Sequence, residues 1–145
     1  MKKAQVSIEF LFVIATILLL AIFILYDVSN KKIQVKNTEE FLLKKNLCLE
    51  FSSFISGVYT KGMGTEAYLE LMGNQLSYPV TVQPIARNIF VGDKKAVYCT
   101  IPISSVSNST DEIDWFRFNF SVDYRYLKFE NVGNLVVISL VEGFP

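Results

Sequence analysis

The chain has 145 residues with 14 basic and 14 acidic side chains, so a formal charge of zero gives no basic field for binding nucleic acid. Histidine is absent, which removes the commonest general base and transition-metal ligand, and 2 cysteines are too few for an ordinary structural zinc site. We therefore predict that the protein is not an enzyme and holds no metal or cofactor. Apolar residues make up 51% of the chain and are concentrated near the N-terminus.

The first predicted element is an apolar helix. Residues 10–26 are 17 residues without a charge, and Thr16 is the one polar residue among them. As a helix this run is about 25 Å long, which is the short end of a bilayer span. Extending the span to residues 6–26 gives the usual length of a transmembrane helix. The extension includes Glu9, however, whose carboxylate costs roughly a few kcal/mol in hydrocarbon.

Two ordinary interpretations of this segment leave Glu9 unexplained. Lys2 and Lys3 before an apolar run suit a cleaved secretory signal, but the run is too long and no small-x-small cleavage site follows it. An uncleaved signal anchor fits the length, although lysines on both sides of the span leave its orientation ambiguous.

A third interpretation accounts for the carboxylate. Residues 4–10 read AQVSIEF, which resembles the processing site of archaeal type IV pilin-like proteins with class III signal peptides. In that family a short basic leader precedes a small residue, and cleavage falls before Gln in the pattern Q-x-S-x-E-F. The resemblance covers roughly the first 30 residues of this chain, and it implies a leader of residues 1–4 removed by a prepilin peptidase.

The resemblance also assigns roles to individual residues. Cleavage is expected between Ala4 and Gln5, and the remaining motif positions, Ser7, Glu9 and Phe10, are expected to act in assembly. Glu9 becomes the fifth mature residue, where type IV pilins carry a glutamate. Cleavage creates a new amine at Gln5, one helical turn before Glu9, so the carboxylate is expected to pair with that amine in its own chain or in a neighbour.

After Tyr26 the helical pattern continues and becomes amphipathic. We predict one helix over residues 5–57, with 6–26 as the membrane-spanning or filament-core segment and Gly57 as a stop signal supported by Gly62 and Gly64. Residues 58–145 are predicted to form a β-rich extracellular head. The fold class is therefore α+β, with a long N-terminal helix packed against a C-terminal antiparallel sheet.

The head shows the two-residue period of strands. We predict a hairpin of residues 67–72 and 75–80 around Gly73-Asn74, and a second of residues 89–91 and 96–101. A strictly alternating strand is predicted over residues 115–122, followed by a hairpin of residues 124–129 and 135–140. Residues 104–114 are polar, lack an apolar rhythm and are predicted to be a surface loop.

Four further residues are candidate modification sites, each conditional on export. Cys48 and Cys99 are 51 residues apart and are expected either to form a disulfide or to stay as buried free thiols. Asn108 and Asn119 each begin an N-x-S/T sequence, which is an acceptor site for N-glycosylation.

The leading functional hypothesis is a major or minor structural subunit of a type IV pilus-like surface filament. Its expected partners are a prepilin peptidase, identical or related pilin subunits, and membrane lipid before assembly, with no nucleic acid. The expected location is the cell membrane, crossed once with the head outside, and then the filament. The alternative is a monomeric membrane-anchored binding or adhesion protein with an uncleaved anchor, and an exported hydrolase is the third hypothesis.

Overall fold

The computed structural model describes residues 2–93, 95–108, 115–121, 123 and 126–142, while the side chains of residues 2–7 and of Asn74 lie outside the description. The fold is α+β, as predicted, with one long N-terminal helix and a C-terminal β-rich region. The chain divides into two compact units, residues 1–40 and residues 41–145, which we describe separately.

Helix α1 spans Lys2–Lys61. The predicted end at Gly57 is wrong, because the helix continues through this glycine for one further turn. A glycine inside a helix costs only about 1 kcal/mol, which the packing of the surrounding turns offsets. The helix ends where Gly62 adopts a left-handed φ of 94°, a conformation that glycine enters without steric cost.

The second unit contains the last turns of α1 and two four-stranded sheets, within the residues described. The strands are β1 Glu66–Glu70, β2 Val80–Gln83, β3 Asn88–Val91, β4 Val97–Thr100, β5 Val106–Ser107, β6 Phe116–Phe118, β7 Tyr126–Val132 and β8 Leu135–Val141. One sheet has the order β1-β7-β8-β5, with β5 parallel to β8 and the other pairs antiparallel. The other sheet has the order β4-β3-β2-β6 and is antiparallel throughout.

The predicted hairpin around Gly73-Asn74 is wrong. Residues Gly73–Ser77 form a 3-10 helix, and β1 pairs with the distant strand β7 instead of its neighbour in sequence. Local hydrogen bonds explain the turn, because the Met72 N–H donates to Gln75 Oε1 at 3.0 Å and the Gln75 N–H donates to the Met72 carbonyl at 3.1 Å. The pairing of β1 with β7 sets Leu69 opposite Leu127 on the buried face.

The other predicted strands are recovered with adjusted ends. The β3–β4 and β7–β8 hairpins match the predicted pairs. Strand β6 keeps the predicted alternation, with Phe116 and Phe118 buried and Arg117 exposed, but is shorter than expected. The predicted loop over residues 104–114 contains β5, whose two residues are buried, while residues 109–114 lie outside the described residues.

One hydrophobic core joins α1 to both sheets. It contains side chains from all eight strands and from the helix, whose members are Leu47, Cys48, Phe51, Ile55 and Val58. Phe51 packs edge-on against Phe129 with 5.7 Å between ring centroids, and Phe54 lies 5.4 Å from the same ring. Such aromatic pairs contribute about 0.5–1.5 kcal/mol beyond the area that they bury.

A buried asparagine ties the end of α1 to β7. The side-chain amide of Asn131 donates to the carbonyls of Val58 and Tyr59 at 3.1 and 3.2 Å. These carbonyls belong to the last turn of the helix, which lacks onward helical partners. The backbone of Asn131 also pairs with the following loop, since its N–H donates to the Thr65 carbonyl at 2.9 Å and its own carbonyl accepts from the Gly64 N–H at 2.8 Å.

We expect Asn131→Ala to lower the free energy of unfolding by about 1–3 kcal/mol, because the buried Val58 carbonyl loses its side-chain donor, while the Tyr59 carbonyl keeps its bond from the Gly62 N–H. Asn131→Asp should cost more, since a carboxylate would face the negative end of the helix dipole. Urea unfolding of the full chain in detergent, followed by circular dichroism, measures both. The exposed Asn37→Ala is the control and should stay within about 0.5 kcal/mol of the parent.

Candidate functional site

The candidate site is the apolar segment of α1 in the first unit, residues 8–26. Its large apolar side chains are all exposed, from 38% for Ile14 to 70% for Phe12 and Phe23. The most apolar 18-residue window of the helix has a mean hydropathy of 3.0, and none of it is buried within the chain. A helix that is apolar on every side requires lipid or other protein around it. By length and composition, it is compatible with a single membrane span.

Two hydroxyl groups, that of Thr16 in the segment and that of Ser29 next to it, are satisfied inside the helix. Thr16 Oγ1 donates to the Phe12 carbonyl at 2.8 Å, and Ser29 Oγ donates to the Leu25 carbonyl at 2.9 Å. Each bond reaches back four residues, so neither donor enters hydrocarbon unpaired. The hydroxyls therefore create no need for an external partner.

Glu9 differs from these hydroxyls. Its side chain is exposed, and it makes no ion pair or hydrogen bond within the described part of the chain. It is the one charged residue between positions 8 and 26 of the sequence. A carboxylate at the start of an apolar helix is costly in hydrocarbon unless another group pairs with it. Glu9 is thus the residue of the segment for which a polar partner matters most.

The other motif residues surround Glu9 in sequence. The backbone of Ala4, Gln5 and Ser7 is part of α1, but their side chains lie outside the described residues. Gln5 and Glu9 are four positions apart on a continuous helix, and residues at this spacing share one side of a helix. Phe10 is 64% exposed and belongs to the apolar surface of the segment.

In the second unit, Cys48 of α1 is joined to Cys99 of β4 by a disulfide, with 6.0 Å between Cα atoms. A hydrogen bond reinforces the same junction, because Ser52 Oγ donates to the Thr100 carbonyl at 2.9 Å. The bridge therefore fixes the helix to an outer strand of the antiparallel sheet.

Both sequon asparagines are exposed. Asn119 Oδ1 accepts from Arg117 Nε at 3.3 Å, and Arg117 forms an ion pair with Asp93 at 2.8 Å. Asn108 directly follows β5, and the rest of its sequon, Ser109 and Thr110, lies outside the described residues. Within the described residues, no group of acidic or cysteine side chains is arranged to hold a metal ion.

An ionic cluster on β1 and β7 was not predicted from the sequence. Lys128 Nζ lies 2.7 Å from carboxylate oxygens of both Glu66 and Glu130. Hydrogen bonds from Lys128 and then from Tyr68 lower the pKa of Glu66, and the two carboxylates raise the pKa of Lys128. Only the strand register reveals the cluster, because Glu66 and Glu130 are directly opposite each other across the pair.

We expect this cluster to stabilise the head at neutral pH and to weaken in acid. A carboxylate whose pKa is lowered on folding stabilises the fold above its unfolded value, 4.5 for Glu66, and loses that contribution as pH falls through the folded value. Lys128→Met should therefore unfold at lower urea than the parent at pH 7, with the difference shrinking below about pH 4. Lys95→Met, at an exposed position outside α1, is the control and should follow the parent at both pH values.

Comparison of the chain with protein-family models, curated proteins and solved structures finds no match.

Proposed function

We propose that the protein is a structural subunit, a major or minor pilin, of a type IV pilus-like surface filament, and that a prepilin peptidase processes it after Ala4. The single observation that carries this proposal is the exposed apolar surface of residues 8–26, with the carboxylate of Glu9 at its start. A helix that acts only as a membrane anchor requires the apolar surface, but a carboxylate contributes nothing to anchoring and disfavours insertion. A helix that leaves lipid for contact with sister helices needs both.

The proposed cycle follows from the chemistry of the segment. Before assembly, lipid surrounds residues 8–26. After assembly, sister helices replace the lipid, and because their side chains are as apolar as lipid tails, the gain comes from side-chain fit and from polar contacts. The Gln5 amine released by cleavage is the natural partner of the Glu9 carboxylate. Their pairing removes an uncompensated charge from an apolar environment and links assembly to processing.

The second unit supports a location outside the cell. A disulfide such as Cys48–Cys99 persists in oxidising compartments and is rare in the reducing cytosol. With the head outside, the basic leader stays on the cytoplasmic side, where a membrane peptidase removes it. The apolar helix then remains attached to the mature protein.

A monomeric membrane-anchored binding or adhesion protein is the second candidate. Exposed aromatic side chains of the head favour it, since Tyr98 is 67% and Trp115 is 59% exposed. Aromatic groups at a surface are typical of sites that bind other molecules. In this case the helix serves as an anchor only, and the leader is retained.

Mass spectrometry of the N-terminal peptide of the membrane-extracted protein tests the proposal. We expect a mature start at Gln5 with a free amine, because a cyclised glutamine would keep the cleavage site but could not pair with the Glu9 carboxylate. Ala4→Gly should be processed and Ala4→Leu should not, because the site requires a small residue. An intact Met1 in the parent protein would favour the anchored monomer, and a start beyond Tyr26 would contradict both candidates.

A further inference from the structure

The antiparallel sheet of the second unit has one face in the core and one face that is accessible to solvent. Buried and accessible side chains alternate along each of its strands β2, β3, β4 and β6. We call the accessible side chains of these strands, together with Trp115 directly before β6, the open face. Tyr98 of β4 and Trp115 are exposed on it, and Phe90 of β3 is half-buried. The open face therefore presents aromatic rings to solvent.

The strand register determines where these rings lie. Phe90 is directly opposite Tyr98, so these two aromatic residues are neighbours at the β4 edge of the sheet. Trp115 adjoins β6, which is the strand at the opposite edge. Neighbouring strands are about 4.8 Å apart, so about 14 Å separates β4 from β6. A ligand that contacts the rings at both edges must therefore be extended.

Polar side chains occupy the strip between the rings. Thr81 and Gln83 of β2 and Asn88 of β3 are half-buried, and their side chains make no hydrogen bond within the described part of the chain. Hydroxyl and amide groups both donate and accept hydrogen bonds, which suits a ligand rich in hydroxyl groups. The one charged residue of the open face, Arg117, is paired with Asp93 at 2.8 Å. The open face thus complements an uncharged ligand.

We propose that the open face binds an uncharged polysaccharide. A pyranose ring has an apolar face of C–H groups, which stacks on an aromatic ring, and a rim of hydroxyl groups, which bonds to amides beside that ring. Nucleic acids and anionic lipids are disfavoured, because they require unpaired basic groups. The inference goes beyond the filament proposal, since it concerns the head alone and applies whether or not the chain assembles.

The size of the open face argues against a second copy of the chain as its occupant. Four strands at about 4.8 Å spacing and four residues at about 3.3 Å per residue give an area of about 250 Å². A stable interface between proteins buries about 800 Å² on each partner. The open face is therefore too small to hold a dimer together, but it accommodates a short row of sugar rings.

Tryptophan fluorescence of the full chain tests the proposal directly, because Trp115 is the only tryptophan. The protein is kept in a detergent without sugar headgroups, and the probes are cellohexaose and chitohexaose, uncharged chains whose linkage keeps the pyranose rings in a flat ribbon. We expect a saturable change in Trp115 emission with at least one of them. High salt should leave the binding unchanged, because the ligand carries no charge.

Three variants show whether the rings are responsible. Tyr98→Ala keeps the fluorescent reporter and should weaken binding at least about tenfold. Trp115→Ala removes the reporter, so its binding is measured by sedimentation with cellulose and chitin particles, which should no longer retain it. Met63→Ala truncates an exposed apolar side chain outside the sheet and should bind like the parent. Urea unfolding of all three should match the parent, because the three positions are exposed.

Several outcomes would overturn the inference and leave the filament proposal standing. They are no emission change with either hexasaccharide together with no retention on either polymer, and parent-like binding by both aromatic variants. A change in emission that follows protein concentration alone would identify a second copy as the occupant. Tighter binding of oligothymidylate, weakened by salt, would identify single-stranded nucleic acid instead.

Discussion

Glu9→Ala is expected to abolish incorporation into filaments while membrane insertion persists. Alanine removes the only charge between positions 8 and 26, so insertion into lipid becomes easier by roughly 2–3 kcal/mol on translocon scales. The same change deletes the polar contact that we propose for the Gln5 amine. Loss of a hydrogen bond to a charged group, about 1.5–3 kcal/mol, weakens each association step by a factor of about 10 to 150, and a repeating polymer multiplies this loss. Shearing polymer from cells and extracting membranes with carbonate measure the two outcomes separately.

Two matched variants identify which property of Glu9 matters. Glu9→Gln keeps the size and hydrogen-bonding capacity but not the charge, and Glu9→Asp keeps the charge on a shorter side chain. If charge pairing drives assembly, Glu9→Gln should resemble Glu9→Ala, and Glu9→Asp should assemble partly. Polymer at the parent level from Glu9→Ala would show that the carboxylate has no role in assembly, whereas absence of polymer from the parent itself would favour the monomeric anchored protein.

Removal of the Cys48–Cys99 disulfide should have the largest effect on the stability of the head. The bridge closes a loop with a sequence separation of 51, for which chain entropy gives about 4 kcal/mol of stabilisation. We expect Cys48→Ala/Cys99→Ala to unfold at much lower urea than the parent, and the parent treated with reductant to shift in the same direction. Near-ultraviolet circular dichroism of the full chain in detergent reports the loss of tertiary structure.

Ser52→Ala is the matched control for the disulfide. It removes the hydrogen bond to the Thr100 carbonyl at the same helix–strand junction but leaves the covalent bond in place. Its expected cost is about 1 kcal/mol or less, because the serine is partly accessible to water. If the double alanine variant were no less stable than Ser52→Ala, the bridge would not be a major source of stability.

The features that sequence analysis predicted well are those set by local composition. A 17-residue apolar run is too long for a buried strand and predicts a helix with lipid or protein on all sides. The helix over residues 10–26 could therefore be predicted without any knowledge of tertiary contacts. The β3–β4 and β7–β8 hairpins join neighbouring segments through short turns, and Gly133, with a φ of 79°, supplies the left-handed position of the second turn.

The features that were missed depend on distant parts of the chain. The pairing of β1 with β7 joins residues about sixty positions apart, and nothing in Gly73-Asn74 shows that a 3-10 helix will replace a hairpin there. The Lys128 cluster exists only because this pairing sets Glu66 opposite Glu130. The helix continues past Gly57 because Ile55 and Val58, on either side of it, are buried in the core, and the sequence does not reveal that burial.

The position of the disulfide has a mechanical consequence. Cys48 lies in α1 seven residues into the second unit, ahead of the remaining helical residues that enter the head's core. Tension applied to the helix from its N-terminal side therefore reaches β4 through a covalent bond before it reaches Phe51 or Ile55. The disulfide therefore carries the load in place of those later turns. The head should keep its packing under forces that would detach a helix held by side-chain contacts alone.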